Sequence, residues 1–202
     1  MPLTESSPRE PIHTRTIVLN GFRRADGLWD IEGHLTDVKA YTFRTEERGQ
    51  LEPGDPVHDM WLRLTVDDNL TVQAIEAVTD KSPYGACGAI TDAFQCLVGL
   101  SVAKGWTRAV RERLGGVHGC THLVELLGPI GTTAFQTIYP ILARERARKA
   151  REGQGGQDTA RQRPVLLNTC HIFASDGDVV RRHWPDHYTG DRTVDAEAGA
   201  AD

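Results

Sequence analysis

The sequence predicts an α+β fold, an antiparallel sheet with helices packed on one side. Three observations carry that expectation. Strand-like alternation fills the chain from Arg15 to about Val78. Helical spacing replaces it after Pro83. The β-rich and α-rich segments do not interleave, so the parallel βαβ architecture is disfavoured.

Taken in order, Thr16–Leu19 is a β-branched strand, and Leu28–Leu35 alternates as a half-buried strand does. Ala40–Arg44 is expected to pair nearby. Met60, Leu62, Leu64 and Val66 define one face of a strand, with Trp61, Arg63 and Thr65 on the other. Asp67-Asp68-Asn69 is a turn signal, and Thr71–Val78 returns as the hairpin partner. Ile90, Phe94, Leu97 and Val98 sit at helical spacing. Trp106, Val110 and Leu114 mark a second helix, stopped by Gly115-Gly116. Leu123, Leu126 and Leu127 begin a third, which Pro129 and Gly131 are expected to kink or break before Phe135–Leu142 continues. A basic run from Arg144 to Arg151 reads as a solvated helix end. Val165–Asn168 and Val179-Val180 read as short strands, with Asp176-Gly177 as a hairpin turn. The implied organisation is a disordered tail over 1–14, a core over 15–150, a flexible linker over 151–164, strands packing on the core over 165–188, and a second tail over 189–202.

The 202 residues carry a net charge of −5, with 39% hydrophobic and 25% charged residues. Such an acidic balance argues against nucleic acid as a partner. No apolar run reaches the roughly 18 residues of a membrane span. The polar start, with Glu5, Arg9 and Glu10, has no signal-peptide core, so the expected location is the cytoplasm. A small-molecule substrate is the expected partner, and a homodimer is compatible with the sequence.

Four cysteines and eight histidines then need explaining. In a reducing compartment the cysteines are buried small residues or chemistry, not two disulfides. Cys96, between Phe94 and Leu97, reads as core, while Cys170-His171 stays open between a structural and a site role. Cys87, in Pro83-Tyr84-Gly85-Ala86-Cys87-Gly88, and Cys120, in Gly115-Gly116-Val117-His118-Gly119-Cys120-Thr121-His122, both lie just before a helix. Helix N-termini favour thiolate over thiol. His58 opens the central strand. A set of His58, Cys87, Cys120 and one of His118 or His122, with His122 preferred, would suit one divalent metal ion, zinc ahead of iron. Against it stands the ordinary reading of Cys87 and Cys120 as small helix-start residues.

The N-terminal strands carry many charges. Alternation places Asp30, Glu32 and His34 on one face. That face is either a solvated sheet surface or a wall of general acids and bases joined by Lys39 and Tyr41. Trp29, Trp61 and Tyr84 are either core or the lining of an aromatic pocket. No phosphate-binding glycine motif and no nucleophile elbow is present.

Two resemblances bear on these residues. His58-Asp59-Met60-Trp61-Leu62-Arg63-Leu64, Tyr84-Gly85-Ala86-Cys87-Gly88-Ala89 and Gly119-Cys120-Thr121-His122-Leu123 are similar to the three ligand segments of the IscU/NifU-like iron–sulfur scaffolds. This implies an IscU/NifU-like core with added N-terminal strands, and His58, Cys87 and Cys120 at ligand positions. The chain departs in having His58 for a carboxylate, Pro56 at the first Cys position, and its imidazole after the last Cys. Gly21-Phe22-Arg23-Arg24-Ala25-Asp26-Gly27-Leu28-Trp29-Asp30-Ile31-Glu32-Gly33, Asp37-Val38-Lys39-Ala40-Tyr41, His58-Asp59-Met60, Gly119-Cys120-Thr121-His122-Leu123 and Thr169-Cys170-His171 resemble a bacterial family catalogued as domain of unknown function 2889. That resemblance implies breakdown of lignin-derived aromatic dimers, including loss of a hydroxymethyl group as formaldehyde. The expectation is a metal-dependent, formaldehyde-releasing lyase, with Glu32, Asp30 or His34 as base and Tyr41 or Lys39 supporting a phenolate. The other expectation is a metal or iron–sulfur carrier without turnover.

Overall fold

The computed structural model describes residues 3–103, 105–153 and 163–190. They divide into two compact units, Met1–Ala147 and Arg148–Asp202.

The first unit is built on a four-stranded antiparallel sheet in the order β1-β2-β5-β6, with β1 His13–Arg23, β2 Trp29–Lys39, β5 Pro56–Val66 and β6 Val72–Lys81. A small hairpin, β3 Phe43–Thr45 with β4 Gly49–Leu51, interrupts the path between β2 and β5. The alternation read from the sequence is the alternation of burial. Trp29, Ile31 and Leu35 of β2 and Met60, Leu62 and Leu64 of β5 are buried, while Trp61 and Arg63 are exposed. Asp67 closes the β5–β6 turn by accepting backbone N–H bonds from Asn69 and Thr71 at 2.8 and 2.9 Å.

The buried face is covered by a 3-10 helix over Gly85–Leu97, by α1 (Trp106–Leu114) and by α2 (Thr121–Arg151). In a 3-10 helix residues three apart eclipse one another. Phe94 and Leu97 therefore share the buried face, and Cys96 falls outside it. The expectation that Cys96 is core is corrected: its side chain is exposed.

Helix α2 runs without a break through Pro129 and Pro140. An internal proline costs about 3 kcal/mol. Leu123, Leu126, Leu127, Ile130 and Ile138 are all buried along one side of the helix, at about 1.5–3 kcal/mol each. Burial on both sides of Pro129 outweighs the lost hydrogen bonds. Glycines set how closely the helix approaches. A Cβ at Gly33 would lie 3.0 Å from Ile130 Cδ1, and one at Gly21 would fall on the Thr137 side chain. A Cβ at Gly131 would lie 3.1 Å from the Trp106 ring, whose Nε1–H donates to the Leu127 carbonyl at 2.8 Å.

In the second unit the expected strands are not formed. Residues 165–168 are turns, with Asn168 at a φ of 61°, and Val179-Val180 lie in α3, Asp178–His183. Asp178 in its first turn and Arg181, Arg182 and His183 in its last complement the helix dipole. Asp176-Gly177 leads into that helix rather than turning a hairpin. Most of the expected linker, 154–162, and the end of the chain, 191–202, lie outside the described residues.

Candidate metal and acid–base centre

On the helix-covered face, Arg15 of β1 pairs with Asp37 of β2, and Asp37 pairs with His58 of β5. The three form one cross-strand row, where directly opposed side chains meet. Asp37 continues the buried series Trp29, Ile31, Gly33, Leu35, and is itself only 1% exposed. A buried carboxylate must be paired. Arg15 grips both oxygens, Nε to Oδ1 at 2.8 Å and Nη2 to Oδ2 at 2.7 Å. Its third nitrogen, Nη1, bonds Glu125 on α2.

Three imidazoles surround the same carboxylate. His58 Nδ1 lies 2.9 Å from Oδ2, and His13 Nε2 lies 3.0 Å from Oδ1. His122, in the first turn of α2, brings Nε2 to 3.8 Å from Oδ2 and stacks on His58 with ring centroids 3.7 Å apart. Cys120, whose carbonyl accepts the first bond of α2 from Val124, places Sγ 3.9 Å from His122 Nδ1.

The electrostatics follow from this packing. Burial works against ionised Asp37, but the Arg15 guanidinium and the His58 bond overcome it and hold the carboxyl at about 2. Burial pushes His58 down from the usual imidazole range, with His122 adding to the effect and Asp37 opposing it. Burial also lowers His122, and the nearby Arg15 charge adds to that. Near neutral pH the centre is an anionic carboxylate with neutral His58 and His122. Without a metal, His58 then donates Nδ1–H to Asp37; a cation bound at that nitrogen would displace the proton.

This is a donor set that a divalent cation accepts. One carboxylate oxygen and one nitrogen from each of His58 and His122 lie within 4.8 Å of one another. Two ligands on a tetrahedral zinc with bonds near 2.1 Å stand roughly 3.4 Å apart, a value that the 2.9 and 3.8 Å separations at Oδ2 bracket. Arg15 holds both oxygens; His13 adds to Oδ1, and Oδ2 faces His58 and His122.

The expected site residues do not all converge. His58 and His122 come together, and Asp37 joins them. Cys120 stands beside His122 without entering the cluster of mutually close donors. Cys87 does not enter it either; it lies half-buried in the 3-10 helix that packs on β6. Glu32, Asp30 and His34 have the opposite parity to Asp37, so β2 presents them on the other side of the sheet. There Glu32 bonds Arg63, Asp30 bonds Thr65, and His34 bonds Asp59. Lys39 ends β2, and Tyr41 is exposed with its ring edge-on to Phe43. Trp29 is core, its Nε1–H bonded to Asp68, whereas Trp61 and Tyr84 are exposed.

Fold and site define an α+β protein with a buried carboxylate–imidazole centre between a sheet and a helix N-terminus. The chain belongs to the family described as "Protein of unknown function (DUF2889)", whose model matches residues 13–136. No curated protein matches it. No solved structure matches it. Among the described residues, no helix is long and apolar enough to cross a membrane.

Proposed function

We propose that the chain is a metal-assisted lyase that releases formaldehyde from a small aromatic substrate bearing a hydroxymethyl group, of the kind found in lignin-derived dimers. The observation that supports it is the set of buried Asp37 with half-buried His58 and His122, with zinc preferred over iron for its two imidazoles and one carboxylate. The bound ion would polarise the substrate hydroxyl and favour its alkoxide. Arg15 fixes the carboxylate and, with the His58 bond, keeps it anionic against the effect of burial. Glu125 lies three residues beyond His122 on α2, on the same helix face, and its side chain is 44% exposed. In this reading it takes the hydroxyl proton. The carbon–carbon bond to the hydroxymethyl carbon then breaks, and that carbon leaves as formaldehyde. The electron pair forms a carbon–carbon double bond as a phenoxide departs from the adjacent carbon, so no oxidant is needed. Glu32, Asp30 and His34 have no part in this reading, because they face away from the centre.

The test is formaldehyde trapping with a hydroxymethyl-bearing aromatic dimer, on full-length protein that is stripped of metal, reloaded, or carries Asp37→Asn or His122→Ala. About one metal per chain is expected, with turnover lost at least 100-fold on stripping and in both variants. Full turnover by stripped protein, or no formaldehyde from loaded protein, would sink the proposal. Cys120, 3.9 Å from His122, keeps the carrier reading in view. Brown, cluster-bearing protein without turnover would favour it over the lyase.

A further inference from the structure

The face of the sheet turned away from the helices carries a second organised array. Its polar groups are paired across strands. His34 Nε2 meets Asp59 at 2.7 Å, and Arg63 is held between Glu32 and Glu76, each at 2.8 Å. Amid these pairs sits Trp61, 37% exposed, and β1 adds exposed Val18 and Phe22 to the same face. His34 lies flat on Trp61, centroids 3.7 Å apart and planes within 6°. A bonded polar ladder would need no indole; a solvated sheet face is usually polar throughout. Trp61, Val78, Arg63, Glu32 and Glu76 line a cleft of about 240 Å³. That volume is just below the range of ordinary small-molecule pockets, so it suits a single ring rather than a dimer.

We propose that this cleft is a binding site for a small phenol, separate from the Asp37–His58–His122 centre. The indole and Val78 offer apolar surface to a planar ring. A phenolic hydroxyl is both donor and acceptor. The carboxylates of Glu32 and Glu76 accept its O–H, and the Arg63 guanidinium donates to its oxygen. An aromatic cation would meet Arg63 unfavourably, and an aromatic carboxylate would meet two glutamates. A neutral phenol matches both signs.

The experiment uses the full chain and phenol as probe, with benzylamine and benzoate as comparators. The indole N–H signals are followed by NMR, and affinity by calorimetry. Expected is a saturable shift of the Trp61 signal, assigned from Trp61→Phe, with phenol binding in the millimolar range usual for one ring. Affinity should fall at least fivefold in Trp61→Ala and in Glu76→Gln, and be unchanged in His122→Ala. Glu76 is solvent-facing, so its variant keeps the test valid if Trp61→Ala does not fold. Equal binding of benzylamine or benzoate, phenol affinity unchanged in both Trp61→Ala and Glu76→Gln, or loss of binding in His122→Ala would overturn the proposal. Because the His122 variant removes a donor of the other centre, failure of the lyase reading and failure of this one give different results.

Discussion

Replacing Asp37 by Asn keeps the shape of the side chain and removes its charge. The carboxyl is held at about 2 in the folded chain against an ordinary 3.8. Each unit of difference is worth about 1.4 kcal/mol, so ionised Asp37 contributes about 2 kcal/mol to stability at neutral pH. The sign follows from linkage: a depressed folded value gives stabilisation that is complete above pH about 4 and lost as pH falls through about 2. About half of it should be gone by pH 3. Urea unfolding of metal-free protein and of Asp37→Asn, from pH 7 down to 3, reads this as a difference between two curves. The gap should start at about 2 kcal/mol and narrow below pH 4. A gap that stays constant from pH 6 to pH 3, or none at pH 7, would refute the assignment of Asp37 as a buried, Arg15-held anion.

Other outcomes follow from the same structure. Metal-free protein should lose stability as pH drops below about 6.5, because burial keeps His58 and His122 neutral while the unfolded chain takes up protons. His58→Asn with His122→Asn should flatten that slope in urea unfolding. Cobalt titration should give tetrahedral absorption bands in wild type and in Cys87→Ser, but not in His58→Ala. Gly21→Ala should destabilise by about 1–3 kcal/mol, since its Cβ meets Thr137, read as a lowered urea midpoint. Trp106→Phe should cost about 1 kcal/mol for the lost bond to Leu127, read the same way.

The sheet was legible because its strands alternate strictly; Met60 to Val66 states both register and face. The course of α2 was not, because proline propensity is local while the burial of Ile130 and Ile138 that overrides it is tertiary. Val179-Val180 looked like strand because two β-branched residues carry no period by themselves. At the site, His58 and His122 are legible as candidate metal ligands, but Asp37 is not. Its signal was present nonetheless: a carboxylate at the apolar parity of β2, two residues beyond Leu35. Cys87 was drawn in by its place at a helix start, which says nothing about distance in space. Glu32 and His34 share one face of β2 by alternation, but their distance from His58 depends on which face the helices cover, and that is tertiary.

The glycine contacts under α2 give the helix the mechanics of a balanced beam. Ile130 rests on Gly33 as a fulcrum. Thr137 lies about 10 Å along the axis in one direction, and His122 about 12 Å in the other. Lifting the Thr137 end by 1 Å would lower the His122 end by about as much. A methyl group added at Gly21 would then disturb the contact of His122 with Asp37 and His58, more than 20 Å away along the helix, without altering any of those three side chains.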